Sequence, residues 1–153
     1  MAMTFVRRSR MRRAPKGKQL ALTPRDLAIF HALSRYRYLR STYLHAFTGG
    51  VSETRFKERL GDLFHEGFLN RPERQWLMAD SRCRPAVHEL GKRGRHILSE
   101  HQPLPAPSIC IAPRPHRQFE HSLMICEVLA SLELAIDRSV GRRFIAWPEI
   151  FRK

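Results

Sequence analysis

The amino-acid sequence predicts an α+β domain that is mostly α-helical, and three observations lead to that prediction. Three capped, amphipathic helical segments follow one another between residues 22 and 66. A segment with the alternation and turn residues of a β-hairpin follows between residues 68 and 90. The chain of 153 residues is 42% hydrophobic, which is too apolar for a wholly disordered polycation and sufficient for a modest core.

The first helix has a strong start signal. Thr23 is a favourable N-cap, Pro24 suits the first helical position, and Asp26 places a carboxylate in the first turn, where the helix dipole stabilises it. The spacing then predicts an apolar face formed by Leu27, Phe30, Ala32 and Leu33. The helix should fade over residues 35–39, with Tyr36 and Tyr38 packed beneath it.

Two further helices are predicted on either side of a glycine turn. A short helix over residues 41–47 takes Ser41 as its cap, with inward-facing Tyr43, Leu44 and Phe47. Gly49 and Gly50 permit the positive φ angles of a sharp turn. Ser52 caps a third helix that runs to about Glu66, where Gly67 has the position of a C-terminal cap. Its apolar face consists of Phe56, Leu60, Leu63 and Phe64.

After the third helix the pattern changes to extended structure. Residues 68–69 begin an extended segment, and residues 75–78 and 86–90 are predicted as two strands of a hairpin with a basic tip at 80–85. A short helix ends near Glu100, and five prolines in residues 102–115 predict a semi-rigid linker. The longest helix is predicted over 116–137, Gly141 ends it, and residues 143–147 are predicted as a strand.

These elements divide the chain into four parts. We expect a disordered basic arm at 1–19, a three-helix and hairpin domain at 20–101, the linker at 102–115 and a C-terminal helix and strand at 116–153. Half of the net charge of +14 lies in residues 1–18, which hold seven basic and no acidic residues. That arm is either a solubilising tail or a segment that orders along phosphates or in a minor groove.

Three helices with a tight turn before the third, followed by a basic hairpin, is the order of a winged helix-turn-helix. We therefore predict sequence-specific binding of double-stranded DNA, with the third helix in the major groove and the arm and hairpin on phosphates. Glu58 and Asp62 share the outer face of that helix and would repel phosphates unless they pair with Arg55 and Arg59 or accept from cytosine. The predicted DNA-binding residues are Arg7, Arg8, Arg10, Arg12, Arg13, Lys16, Lys18, Ser52, Thr54, Arg55, Lys57, Arg59, Arg82, Arg84, Lys92 and Arg93.

Short motifs along the chain resemble the replication-relaxation family of bacterial plasmid and mobile-element proteins. They read LTPRDLAI at 22–29, YRYLRS at 36–41, RLxxLxxxGxL at 59–69, VHELGKRG at 87–94, HSL at 121–123 with EV at 127–128, and WPE at 147–149. The resemblance implies a winged-helix DNA-binding protein that acts in replication, relaxation or transfer of a mobile element. A winged-helix DNA-binding protein could also act in transcription regulation. The nuclease-like half of longer members, with its acidic motif, has no counterpart in these residues, so we predict no catalytic residues.

Other classes of site are not favoured by the residues present. Cys83, Cys110 and Cys126 are widely spaced and form no C-x-x-C pair, so we predict no metal site, and we predict no cofactor. No stretch approaches the roughly 20 apolar residues of a membrane span, and the N-terminus lacks the apolar region of a secretory signal. We therefore expect a cytoplasmic, nucleoid-associated bacterial protein.

Two alternatives to DNA binding stay open. The chain could be an adaptor that docks on replication or transcription machinery, or an RNA-binding or ribosome-associated protein. The wide apolar face of the 116–137 helix is either part of the intramolecular core or the seam of a homodimer. A homodimer, which would suit the dyad symmetry of DNA operators, is favoured because a helix of low positive charge beyond a complete winged helix needs a surface against which to bury its leucines.

Overall fold

The structure, a computed structural model, describes residues 8–50, 52–101, 118–145 and 150. Within those residues the fold is α+β and mostly helical, with five α-helices and one small antiparallel sheet. The sheet has the strand order β1-β3-β2. The elements in chain order are α1 (Pro24–Arg35), β1 (Leu39–Arg40), α2 (Ser41–Thr48), α3 (Glu53–His65), β2 (Leu69–Asn70), a 3₁₀ helix (Glu73–Leu77), β3 (Val87–Leu90), α4 (Lys92–His101) and α5 (Phe119–Asp137).

The start of α1 confirms the predicted capping. The Thr23 hydroxyl accepts from the Asp26 backbone N–H at 3.3 Å, and the Asp26 carboxylate accepts from the Thr23 N–H at 2.7 Å. This reciprocal pair is a capping box, with Pro24 in the first turn. Tyr36 and Tyr38 are both buried beyond the end of α1, as predicted.

The third helix also begins and ends where the sequence predicts. The Ser52 hydroxyl accepts from the Arg55 backbone N–H at 3.4 Å, and Gly67 follows the helix with a φ of 86°. Gly49 and Gly50 adopt positive φ in the turn before it. The four residues of the predicted apolar face, Phe56, Leu60, Leu63 and Phe64, are all buried.

The cap predicted for the second helix is wrong by one residue. Arg40 is the N-cap of α2 and makes no side-chain capping bond, while Ser41 is the first helical residue. Ser41 is buried, and its N–H donates to the Ala86 carbonyl at 3.0 Å. The reason is the strand β1, which the sequence did not reveal and whose pairing with β3 leads directly into the helix (Leu39↔His88, Arg40↔Val87).

The first strand of the predicted hairpin is also wrong. Residues 75–77 belong to the 3₁₀ helix, and β3 instead pairs with β2 through Leu69↔Leu90 and Asn70↔Glu89. The buried side chain of Gln75 takes the place of a strand. Its Oε1 accepts from the Val87 N–H at 2.7 Å and its Nε2 donates to the Val87 carbonyl at 2.9 Å. The side-chain amide of Gln75 therefore provides hydrogen-bond partners for both the N–H and the carbonyl of Val87.

A single apolar cluster joins the helices to the sheet. Phe30 stacks on Phe68 with ring centroids 6.0 Å apart, and Leu98 brings α4 into the same cluster. The helix α4 crosses very close to the start of β2. A Cβ atom on Gly94 would lie 2.4 Å from the Phe68 carbonyl oxygen, so only glycine fits there.

The predicted long helix is present as α5, and it packs on its own chain. Leu123 and Cys126 contact a small cluster with Tyr38 and Val87, and Ala130 joins the main core. One face of α5 therefore packs in the intramolecular core, which was one of the two alternatives for this helix. A second face stays exposed and includes Met124, Val128 and Leu132.

The predicted strand after α5 is not observed over the described part of its range. Residues 143–145 form neither helix nor strand, and residues 146–147 lie outside the described residues, as does the proline-rich segment 102–115. Gly141 does adopt a positive φ in the turn after α5. Among the helices that the structure describes, none combines the length and the apolar character that crossing a membrane requires.

Candidate nucleic-acid interface

The outer face of α3 exposes a small set of polar side chains. Thr54, Arg55 and Glu58 are exposed, and Lys57 forms an i,i+4 ion pair with Glu53 at 2.7 Å. Ser52 is exposed at the start of the helix, where its hydroxyl is already used as the cap. Of the two arginines in α3, Arg55 is therefore the one whose side chain extends into solvent.

Arg59, in contrast, is engaged within the protein, which does not favour its predicted role in DNA binding. Its Nε and Nη2 donate to the two carboxylate oxygens of Asp26 at 3.0 and 2.6 Å. Nη2 also donates to the Ala21 carbonyl at 2.7 Å. This fork joins α3 to the start of α1 and occupies the donors that would have read a base edge.

Asp26 stays charged in this site although it is buried. Burial raises the pKa of its carboxyl, but hydrogen bonds from Arg59 and Thr23 outweigh burial, so the pKa lies below its usual value. The hydrogen bond to Asp26 in turn raises the pKa of Arg59. The pair is therefore ionised in the folded protein at any pH near neutrality.

Residues 8–18, the described part of the predicted basic arm, form hydrogen bonds with the body of the protein. Arg13 donates to the Phe64 carbonyl at 2.9 Å, to the Leu69 carbonyl at 3.0 Å and to the Asn70 side chain at 2.5 Å. The Ala14 N–H donates to His65 Nδ1 at 3.0 Å. The physical reason is that the last carbonyls of a helix need donors, and the arm supplies them.

A second arm residue reaches the β2–β3 loop, defined as residues 71–86. The guanidinium of Arg10 donates to the Arg82 carbonyl at 3.0 Å and to the Arg84 carbonyl at 2.5 Å, and it lies 5.3 Å from the ring centroid of Trp76. Arg10 thus uses its charge to hold the loop, while the side chains of Arg82 and Arg84 remain exposed. These two arginines keep the basic loop tip that the sequence predicted.

Arg8 changes the electrostatics of α3. It forms an ion pair with Asp62, one of the two acidic residues that would repel phosphates from the outer face of the helix. The sequence had suggested Arg55 or Arg59 as the partner of such an acid. Glu58 is exposed on the same face.

The remaining predicted residues fall into two groups. Arg12, Lys16, Lys18 and Lys92 are exposed. Arg93 is exposed too, but its guanidinium donates to the Glu66 carbonyl at 2.8 Å and lies 4.4 Å from the ring centroid of Phe68. Arg93 therefore holds the start of α4 to the end of α3. Arg7 lies outside the described residues.

The structure thus brings the arm, α3 and the β2–β3 loop together, with Arg55, Arg82, Arg84, Arg12 and the exposed lysines as the open positive charges. Arg71 and Trp76 join this region without having been singled out, because no local pattern marks either residue. Among the described residues, no group of three or more His, Cys, Asp and Glu side chains is arranged to hold a metal ion.

No protein-family model matches the chain, and neither a curated protein nor a solved structure matches it.

Proposed function

We propose that the protein binds double-stranded DNA as a winged-helix protein, with α3 in the major groove and the β2–β3 loop as the wing. The observation that carries the proposal is the element order α1-β1-α2-α3-β2-β3 with an antiparallel sheet, combined with an exposed arginine on the outer face of α3. A helix of this kind fits a groove about 12 Å wide, and the loop lies beside it for contact with the backbone.

The charge distribution supports DNA over an uncharged partner. The net charge is +14, and most of the excess lies before residue 102, on the arm and on the unit that contains α3 and the β2–β3 loop. Pairing of Arg8 with Asp62 removes one acidic charge from the outer face of α3, so that Arg55 is less opposed there. The proposed role is binding rather than catalysis, in the bacterial cytoplasm.

The experiment that tests this function measures fluorescence anisotropy with a selected duplex over a series of salt concentrations. For about six to eight phosphate contacts, the slope of log K against log salt should be about −5 to −7. Arg55→Ala should lose roughly 1–3 kcal/mol of binding free energy on the selected duplex and relax the preference at one base pair.

Lys92→Ala is the matched control for Arg55→Ala, because Lys92 is an exposed cation on another element. It should weaken all duplexes alike and reduce the salt slope by about 1. Equal weakening of every duplex by Arg55→Ala would contradict base reading by α3. Absence of binding to any duplex would contradict the proposed function as a whole, and a competition with structured RNA would then test the RNA-binding alternative.

A homodimer through α5, the helix predicted over 116–137, belongs to the same proposal. Met124, Val128 and Leu132 lie at i, i+4 and i+8 on α5 and are 56%, 54% and 48% exposed. With Tyr43, they line a shallow groove of about 410 Å³. Val128→Asp should convert a dimer to a monomer in size-exclusion chromatography with light scattering. A monomeric wild type would instead favour the docking of another protein on this groove, as in the adaptor alternative.

The specific biological role rests on the resemblance to the replication-relaxation family, and it stays a prediction. Action in plasmid replication, in transfer or in transcription regulation would each need a DNA site near the gene that encodes the chain. Footprinting on that surrounding DNA would locate the site, and its position relative to an origin or a promoter would distinguish these roles.

A further inference from the structure

Arg71 is a partly buried cation without an acidic partner. Its guanidinium lies 4.4 Å from the ring centroid of Phe64, and its Nη1 donates to the Arg10 carbonyl at 2.9 Å. Its Nε has neither a hydrogen-bond partner nor contact with solvent. The ion pairs formed among the described residues do not include Arg71.

The charges that act on Arg71 are also positive. Burial, followed by the charges of Arg10 and Arg8, lowers the pKa of Arg71 to about 10. Arg8 has an orphaned donor as well, because its Nη1 is buried without a partner although another nitrogen pairs with Asp62. Of these three guanidiniums, only that of Arg8 has a carboxylate partner in the ion pairs of the described residues.

A third orphaned group belongs to the same surroundings. His88 on β3 is 1% exposed, and its Nδ1 has no hydrogen-bond partner. Burial lowers the pKa of His88 well below its usual value, and the charges of Arg71 and Arg10 lower it further. The imidazole is thus neutral beside a surplus of positive charge.

Buried cations and unpaired donors are unfavourable unless an anion or ordered water satisfies them. Arginine forks fit phosphate oxygens with two parallel hydrogen bonds. This site lies where the β2–β3 loop begins and where the arm crosses the end of α3, between the helix and the loop that would straddle a DNA backbone. Arg10 is exposed and Arg8 is about one quarter exposed, so an anion can approach from solvent.

We propose that Arg71, together with Arg8 and Arg10, binds a phosphate group of the nucleic-acid backbone. The proposal rests on the proposed DNA-binding function and assigns one phosphate contact to a fixed place in the fold. Because the orphaned Nε and Nη1 have no solvent contact, residues 8–10 shift when the phosphate enters. Phosphate then supplies the negative charge that this part of the protein lacks.

The first test uses inorganic phosphate, so that it does not depend on DNA binding. Thermal unfolding of the full chain is followed in phosphate and in chloride at equal ionic strength, because a ligand that binds the folded state raises Tm. The wild type and Arg138→Met, which changes an exposed arginine at the end of α5, should show the same rise in phosphate. Arg71→Met should lose it, and Arg71→Lys, which keeps the charge without the fork, should retain only part of it.

The unliganded variants show whether the fold survives. Arg71→Met should have an unchanged circular dichroism spectrum, because it removes a charge that has no acidic partner. If it nevertheless fails to fold, Arg8→Met replaces it in the same measurement. A phosphate-dependent rise that persists in the folded variant, or that is missing in the wild type, overturns the proposal.

The second test distinguishes backbone phosphate from free phosphate. With duplex DNA, Arg71→Met should weaken all sequences alike and reduce the salt slope by about 1 relative to wild type. An unchanged slope alongside a lost phosphate effect would assign the site to free phosphate and overturn the backbone contact. If the wild type binds no duplex at all, the DNA-binding function fails, and the backbone assignment fails with it. The thermal measurement still decides whether the three arginines bind phosphate.

Discussion

The two edges of the sheet hold their arginines in different ways. At the β1 edge, which α5 covers, Arg35 pairs with Glu133 at 2.6 Å and Arg40 pairs with Glu127 at 2.6 Å. At the β2 edge, which the arm covers, the guanidiniums of Arg10 and Arg13 bond mainly to backbone carbonyls and lie over aromatic rings. Carboxylates thus neutralise the arginines at the β1 edge, whereas the arginines at the β2 edge keep their positive charge.

This difference separates structural charge from available charge. A carboxylate partner cancels the field of an arginine, whereas a carbonyl or a ring fixes its position and leaves the net charge in place. The acidic residues of α5 therefore attach that helix to α1 and β1. The arm leaves a concentrated positive field beside α3 and the β2–β3 loop, which is the field that a polyanion requires.

The largest change in stability should come from removing an arginine that is paired with a carboxylate. Arg59 tests this, because it lies in α3 but is paired with a carboxylate as the arginines of the β1 edge are. Arg59→Ala leaves the carboxylate of Asp26, which is 1% exposed, without its ion-pair partner. The free energy of unfolding should fall by about 3–5 kcal/mol, measured by urea denaturation.

Arg55→Ala is the control in the same helix, and it should change the free energy of unfolding by less than about 0.5 kcal/mol. Equal losses of unfolding free energy for the two variants would contradict the distinction between a neutralised Arg59 and an available Arg55 in α3. A small loss for Arg59→Ala would return that residue to the list of candidates for DNA contact.

The next effect concerns Glu133, which joins α5 to α1 at the β1 edge. Glu133 is 6% exposed, and it accepts from the Tyr36 hydroxyl and pairs with Arg35. Glu133→Gln should lower the free energy of unfolding by about 1.5–3 kcal/mol, because it weakens two charge-assisted hydrogen bonds.

Glu120→Gln supplies the comparison for Glu133→Gln, since Glu120 is exposed on the same helix and should tolerate the change within about 0.5 kcal/mol. If Glu133→Gln has no larger effect than Glu120→Gln, α5 is attached by its apolar residues alone. The β1 edge would then not depend on matched charge.

The smallest effect is a pH dependence in which stability falls at both ends of the pH range. On the central strand β3, burial and the charges of Arg71 and Arg10 lower the folded pKa of His88, so below about pH 6.5 the unfolded chain binds a proton that the folded chain does not. Stability should fall as the pH decreases through this range, by up to about 1.4 kcal/mol per pH unit.

At the β1 edge the sign is reversed. Burial raises the pKa of Tyr36, and the hydrogen bond to Glu133 raises it further, so above about pH 10 the unfolded chain loses a proton that the folded chain keeps. Urea denaturation at a series of pH values should show both limits. His88→Leu should reduce the pH dependence of stability on the acid side, and Tyr36→Phe should reduce it on the alkaline side. An unchanged pH dependence in either variant would refute the assignment to that residue.

Features that depend on neighbouring residues were predictable. The capping box of α1, the Ser52 cap of α3 and the positive φ of Gly67 are each decided within a few residues by backbone hydrogen bonding and steric limits. The candidate site was predicted only in part for the same reason. Exposure of Arg55 follows from the helical period, whereas the use of Arg59 depends on a carboxylate 33 residues earlier.

The missed features all depend on contacts between distant residues. Gln75 takes the place of a strand because it faces Val87, 12 residues away. Arg10 and Arg13 bond to the body of the protein because carbonyls 51 to 74 residues away accept from their guanidiniums. Strand periodicity and charge counts contain no information about such partners.

The sequence by itself determined the α-helices, the caps of α1 and α3 and the excess of positive charge, because caps, turns and amphipathic spacing act locally. Only the tertiary structure decided which of those charges are neutralised. The energy of a charge depends on its burial and on the partner that reaches it, and both are set when the chain closes on itself. Asp26, Asp62 and Glu133 pair with particular arginines for that reason, and the ion pairs of the described residues include neither Arg55 nor Arg71.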